Sequence, residues 1–221
     1  MRDIDLGAVR REGRRSLSEA ESKTLLREYG IPTTDFLLPG REELDFLEVA
    51  FPLVVKVNSP EVLHKTERGG VFVDVQDRRE LIRRYDEIMT RFPGAEVLVE
   101  PMEEGSAEFI VGLIRDPIFG ISLMFGMGGV LTELYQDVTF RKVPIRPGDA
   151  EEMLDEIKGG SLLKGFRGIK ADRGAVKELL LRTSDMGSEL REHIGQMDLN
   201  PVIVKEKGCV VVDAKVVLES L

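Results

Sequence analysis

The sequence predicts an α+β chain folded as two lobes, and three observations carry that reading. β-Branched runs such as PLVVKV and CVVVD alternate with segments whose apolar residues recur at helical spacing. At 221 residues the chain is long for one compact domain and short for two large ones. The stretch FPGAE, residues 92–96, closes a first αβ block, and a second runs onward from VLVEPM. The expected division is a charged arm over 1–15, an N-terminal lobe over 16–97 and a C-terminal lobe over 98–221.

The arm, MRDIDLGAVRREGRR, reads as a solvated, partly disordered tail. In SLSEAE both serines are followed three residues later by glutamate, the capping-box pattern, so the first helix starts at Ser16 or Ser18. It sets Ala20, Leu25, Leu26 and Tyr29 on one face and stops at Gly30 and Pro32. Further helices are expected at 41–49, 77–91, 148–158 and 173–192. The second of these places Leu81, Ile82, Tyr85, Ile88 and Met89 on one side, as a surface helix lying on a sheet does. Strands are expected at 52–57, 70–75, 96–101, 108–115, 120–125, 139–144, 202–205 and 209–213.

Composition narrows the function. An apolar content of 42% supplies a sizeable core, which is aliphatic because aromatics make up only 6%. A formal charge of −9 argues against nucleic acid as a partner. No run reaches the roughly 18 apolar residues of a membrane span, and the charged N-terminus has no apolar h-region behind it. One cysteine, Cys209, forms no internal disulfide and suits a reducing compartment. Together these predict a cytoplasmic protein.

The densest group of chemically capable residues is MDLNPVIVKEKGCVVVDAK. Asp198 and Asn200 are two apart and face one side of an extended chain. VIV and CVVV flank the turn KEKG, and a hairpin centred between Glu206 and Lys207 sets Asn200 opposite Asp213. Pro201 should confine its segment to a sheet edge or a strand start. A carboxylate and an amide oxygen, with a second carboxylate beside them, suit Mg2+. The same residues also read as an Asx-turn entering a hairpin.

Lys56 sits in an apolar strand where a charge must be paired, either by snorkelling or by meeting a phosphate. Glu100 and Glu108 flank a segment with Pro101, Met102 and Gly105 that crosses between lobes and offers backbone groups to a flat base and a carboxylate to a ribose. MFGMGGVLTE has glycines at 126, 128 and 129 but fails G-x-G-x-x-G, because Leu131 replaces the last glycine. No P-loop is present. In VNSPEVLHKTERGGV, His64 occupies a loop after the Lys56 strand, and Gly69 and Gly70 free the backbone for anionic oxygens. A neutral imidazole accepts a phosphoryl group, although a loop histidine is commonly just a surface residue. His193 reads as a charge partner of a helix end.

Taken in order, LSEAESKTLLREYGIP, PLVVKVNSPEVLHKTERGGV, VLVEPM, EFIVGLIRDPIFGISLMFGMGGVLTELYQDVTFR, MDLNPVIV and VVVDAK resemble the ATP-grasp β subunit of ADP-forming acyl-CoA (acetyl-CoA) synthetases, relatives of the succinyl-CoA synthetase β chain. The likeness covers about residues 16–217. It implies a two-lobed ATP-grasp fold with a nucleotide cleft between lobes. Lys56 would contact nucleotide phosphates with Gly69 and Gly70 nearby. Glu100, Pro101 and Met102 would face adenine, and Glu108 would hold ribose. Asn200 and Asp213 would carry Mg2+, with Asp198 beside them. His64, in an H-K-x-x-x-G-G loop, would be phosphorylated in transit. Gly126, Gly128, Gly129 and Glu133 would lie where a partner's phosphohistidine docks.

The implied reaction joins acyl-CoA, ADP and phosphate to give acid, ATP and CoA. The partner would be an α subunit with CoA-binding and phosphohistidine domains, and this chain would act only with it. Two other readings compete: a nucleotide sensor that transfers nothing, and a stand-alone carboxylate–amine ligase.

Overall fold

The computed structural model describes residues 4–62, 64–128 and 137–219. In chain order the helices are α1 (Leu6–Arg11), α2 (Glu19–Glu28), α3 (Arg78–Arg91), α4 (Pro147–Glu156) and α5 (Arg173–Glu189). The strands are β1 (Leu53–Asn58), β2 (Val71–Val75), β3 (Glu96–Pro101), β4 (Ala107–Asp116), β5 (Gly120–Met127), β6 (Val138–Lys142), β7 (Ile194–Val204), β8 (Cys209–Val211) and β9 (Ala214–Leu218). They form two units. The smaller holds Ser18–Ala20 and Thr34–Glu103; the larger holds Met1–Leu17, Glu21–Thr33 and Glu104–Leu221. The division falls after Glu103 rather than at 97, and most of α2 belongs with the larger unit.

The smaller unit is a three-stranded antiparallel sheet in the order β2-β1-β3. Alternation puts Leu53, Val55 and Val57 in its core with Val97 and Val99, against Leu81, Tyr85 and Ile88 of α3. Asp77 caps α3 by accepting the Glu80 N–H at 2.8 Å. Because side chains alternate, Val54, Lys56 and Asn58 occupy the other face of β1.

The larger unit carries an antiparallel sheet in the order β6-β5-β4-β7-β8, with β9 also paired to β7. Phe109, Val111, Leu113, Leu123 and Phe125 form its core face, with the Phe109 and Phe125 rings stacked at 5.2 Å. Met153 and Leu154 of α4, and Val176, Leu179 and Leu180 of α5, cover that face. Gly112, Met124, Phe140, Asp198 and Lys215 follow one another across the paired strands, so they share the opposite face.

The arm reading is corrected. Asp5 caps α1 by accepting the Gly7 and Ala8 N–H groups, and Leu6 and Val9 are buried in the larger core. Two hydrogen bonds, Leu17 N–H to Val216 and Leu218 N–H to Arg15, then knit the segment to β9. Spacing by three apolar-to-apolar positions was there to read, but five arginines masked it.

The 41–49 helix is corrected to a single 3-10 turn, Arg41–Glu43. Only Leu44 of that region is fully buried while Phe46 lies exposed, so packing sustains no longer helix. Strand β9 and the first half of β7 are not evident from the sequence, because Lys215 interrupts the first, and Gln196, Asp198, Asn200 and Pro201 break the apolar pattern of the second. Among the described residues no helix is long and apolar enough to cross a membrane.

Replacing Leu6 by alanine tests whether α1 belongs to the core. It should cost about 2–3 kcal/mol in urea-induced unfolding. A change near zero would return the segment to a solvated arm.

Candidate functional site

Three sequence-predicted groups take definite places, two in the smaller unit and one in the larger. In the larger unit the hairpin register is as expected: Val202 pairs with Val211, Ile203 with Val210 and Val204 with Cys209. The Asn200 N–H donates to the Asp213 carbonyl at 3.2 Å, which sets those two residues opposite each other. Pro201 corrects its own expectation. It lies inside β7, a strand paired on both sides, rather than at an edge.

A bulge makes this possible. Between Phe109 and Val111 of β4, β7 advances from Val202 to Leu199, one residue more. Leu199 and Val202 are both buried, as are Val211 and Ala214 across from them. Each strand therefore pushes two consecutive residues, 200–201 and 212–213, out of the core.

Asp198 precedes this bulge and pairs with Lys215. Its carboxyl is pushed up from the ordinary aspartate range by desolvation and by the charge of Asp213, with Lys215 opposing. Its buried Oδ1 has no hydrogen-bond partner among the described residues. A carboxylate desolvated beside another carboxylate, with an orphaned oxygen, fits a divalent cation, which removes both penalties. Among the described residues no three His, Cys, Asp or Glu side chains cluster as a metal cage. Two carboxylates and the Asn200 amide suit Mg2+, which keeps waters and phosphate oxygens in its shell.

In the smaller unit Lys56 is buried and paired twice, at 2.8 Å to Glu19 and 2.6 Å to Glu100. Thr34 Oγ1 donates to the other Glu100 oxygen at 2.6 Å. Glu19 also accepts from Lys65, through its second oxygen. This chain of two lysines and two glutamates is the group the sequence reading missed. Glu19 had been spent there on a helix cap. The one signal was the lone lysine in an apolar strand, which demands a counter-ion that only the fold could identify.

The Glu100 carboxylate is turned into this network. The Met102 N–H, expected to be free for a base, donates to the Pro52 carbonyl at 3.0 Å. Pro101 ends β3 opposite Leu53. Glu108, in the larger unit, is exposed and stays available.

His64 is exposed, at left-handed φ of 52°. Glu67 lies 3.8 Å from its Nδ1, too far for a hydrogen bond. The role of Gly69 and Gly70 is corrected. The Gly70 N–H donates to the Lys65 carbonyl at 2.6 Å and the Gly69 N–H to Thr66 at 3.0 Å, so neither faces a phosphate. A Cβ on Gly69 would run into the Arg91 guanidinium, and one on Gly70 would stand 2.6 Å from Val57. Glycine is favoured at 69 by its left-handed φ of 68° and at 70 by close packing on Val57 and the Lys65 carbonyl.

Gly126 and Gly128 likewise allow close backbone approach within the sheet: a Cβ on Gly128 would lie 2.8 Å from the Phe109 backbone. Gly129 and Glu133 lie outside the described residues. The Cys209 thiol is buried and pushed up to about 11, so it is unreactive. His193 follows the end of α5 by several residues, and its Nδ1 is buried without a partner among the described residues.

The Asp198 geometry makes a test. Asp198→Asn removes one of two crowded charges, so it should raise the melting temperature measured in chelator. It should also shrink the further rise produced by added Mg2+. Equal Mg2+ stabilisation in both proteins would remove Asp198 from the cation site.

With the geometry in place, comparison with known proteins is direct. A family model described as an ATP-grasp domain matches residues 8–218. The β subunit of the ADP-forming acetate–CoA ligase II of Pyrococcus furiosus is 38% identical over 222 residues, covering 95% of this chain and 94% of that one. The ADP-forming acetate–CoA ligase II of Archaeoglobus fulgidus is 43% identical over 206 residues, or 91% of this chain, and this chain spans only 30% of its length. A solved structure of the acetyl-coenzyme A synthetase 1 of Ca. Korarchaeum cryptofilum superposes with a TM-score of 0.85 at 43% identity, covering 97% of this chain and 98% of that one. That structure holds coenzyme A and Mg-AMPPCP, with its phosphohistidine segment pointing towards the nucleotide-binding site. An orphaned aspartate oxygen at a strand bulge, a twice-paired strand lysine and a loop histidine thus occur on a known scaffold: this chain belongs to the ATP-grasp family that includes the β subunits of ADP-forming acetate–CoA ligases.

Proposed function

We infer that this chain is the nucleotide-binding β subunit of an ADP-forming acyl-CoA synthetase, a ligase forming carbon–sulfur bonds. It passes a phosphoryl group between ADP and a partner through His64. The observation that carries the reading is the exposed imidazole of His64, on a loop whose next residue is ion-paired into the Lys56 network.

In the ATP-consuming direction an imidazole nitrogen of His64 attacks the γ-phosphorus. The P–N bond forms, the bond from phosphorus to the bridging oxygen breaks, and ADP leaves with that electron pair; the displaced imidazole proton passes to solvent. In the ATP-forming direction a terminal oxygen of ADP attacks phosphohistidine, and the imidazole departs. Lys56 offers a cation to the phosphates and keeps Glu100 as its counter-ion. Asn200 and Asp213, with Asp198 alongside, would hold Mg2+, which when bound neutralises phosphate charge. Exposed Glu108 would accept from ribose hydroxyls.

Two observations support a partner. The Archaeoglobus relative is more than three times as long as the stretch matched here, and the Pyrococcus relative is a subunit by name. We assign the CoA-binding and phosphohistidine domains to that α subunit, and a cytoplasmic place of work to the pair. Gly129 and Glu133 belong to the same proposal, as part of the docking site.

The full chain incubated with Mg-ATP should carry acid-labile, alkali-stable phosphate on the peptide containing His64, read by mass spectrometry. His64→Asn should abolish the label while holding the nucleotide dissociation constant within about twofold. Binding without any label would convert the subunit into a sensor, and a label retained by the variant would move the relay to another residue.

A further inference from the structure

We propose that Glu19 is a positioning residue that couples Lys56 to the His64 loop, one carboxylate clamping both lysines and so setting where the loop presents its imidazole. The proposal rests on the reading that His64 receives the phosphoryl group.

Glu19 is buried, with one oxygen 2.8 Å from the Lys56 ammonium and the other accepting from Lys65. Lys65 adjoins His64, so the clamp acts one residue from the proposed acceptor. The glutamate is itself fixed. Asn58, on the same face of β1 as Lys56, accepts the Ala20 N–H at 3.0 Å and donates to Glu96 at 2.9 Å. The first turn of α2 is therefore docked on the strand that carries Lys56.

The loop beyond Lys65 is stiff. Arg68 N–H returns to the His64 carbonyl at 3.2 Å, and Gly70 N–H to that of Lys65. Arg91 Nη1 donates to the Gly69 carbonyl at 2.8 Å, and the Arg68 guanidinium lies over the Phe92 ring at 5.4 Å. Residues 64–70 are thus tied to one another, and the ion pair of part-buried Lys65 with buried Glu19 anchors them beside Lys56.

Charge gives the coupling its direction. Glu19 and Glu100 balance Lys56 and Lys65 in a buried setting, where an uncompensated charge is costly. When Lys56 turns its ammonium to a phosphate, Glu19 relies more on Lys65, and the loop is drawn in. Without Glu19, Lys56 loses one of its carboxylates and is freer to meet phosphate, while Lys65 loses the carboxylate it shares with Lys56.

This separates affinity from rate. Glu19→Gln should bind Mg-ATP at least as tightly as the parent in calorimetry, yet lower the single-turnover rate of His64 phosphorylation at saturating Mg-ATP by between about tenfold and a hundredfold. Lys65→Met, at the rim of the network, should lose rate to a similar extent, and Lys65→Arg should recover it to within about threefold. Hydrogen exchange of the 64–70 amides should quicken in both Glu19→Gln and Lys65→Met.

A wild-type rate in Glu19→Gln, or a rate loss matched by an equal loss of affinity, overturns the positioning role, as does unchanged exchange in Lys65→Met. If the parent protein takes no phosphate on His64, the relay itself fails, a result distinct from a labelled parent with indifferent variants.

Discussion

A lysine ammonium inside an apolar strand is the constraint on which the smaller unit depends. Lys56 cannot stay charged and buried without counter-ions, and Glu19 and Glu100 supply them at 2.8 and 2.6 Å. Each partner is reached differently. Glu100 comes from β3, the antiparallel neighbour of β1, whereas Glu19 comes from the start of α2, far away in sequence. The pairing thus joins three segments of chain that nothing local would unite. In the proposed function, a phosphate arriving at Lys56 would substitute for one of these carboxylates in kind.

The larger unit shows the opposite arrangement, bringing the carboxylates of Asp198 and Asp213 near each other. Pro201 has no N–H to donate, so β7 cannot run regularly past it. The resulting bulge turns consecutive residues of two strands away from the core, and it sets Asn200 against Asp213 with Asp198 one step before. Asp198 is crowded and unpartnered through Oδ1. In the proposed function a bound cation would relieve this crowding, adding to the stability of the unit as well as to its chemistry.

The loop of His64 shows how glycine can mislead. Two adjacent glycines beside a histidine read as a phosphate cradle, yet their N–H groups are spent within the loop and their missing Cβ atoms make room for Arg91 and Val57. The loop is a braced platform. Its imidazole stands at positive φ and is open to solvent, as are the neighbouring side chains of Thr66, Glu67 and Arg68.

Local order was legible in the sequence. Alternation marked β1, β3, β4 and β5, and apolar spacing marked α3 and α5, because burial of one face imposes those periods directly. The KEKG turn set the hairpin register, and with it the opposition of Asn200 and Asp213, since the residue count through a tight turn leaves little choice. The chemical types at His64, Lys56 and Asp198 were visible too. What tertiary structure alone decided was which charges meet. Glu19 with Lys56 and Lys65, Glu100 turned inward, the fate of the glycine N–H groups, and α1 docked by Leu6 and Val9 all depend on contacts between distant segments. Pattern in one dimension carries no information about such contacts, because they follow from packing many elements together at once.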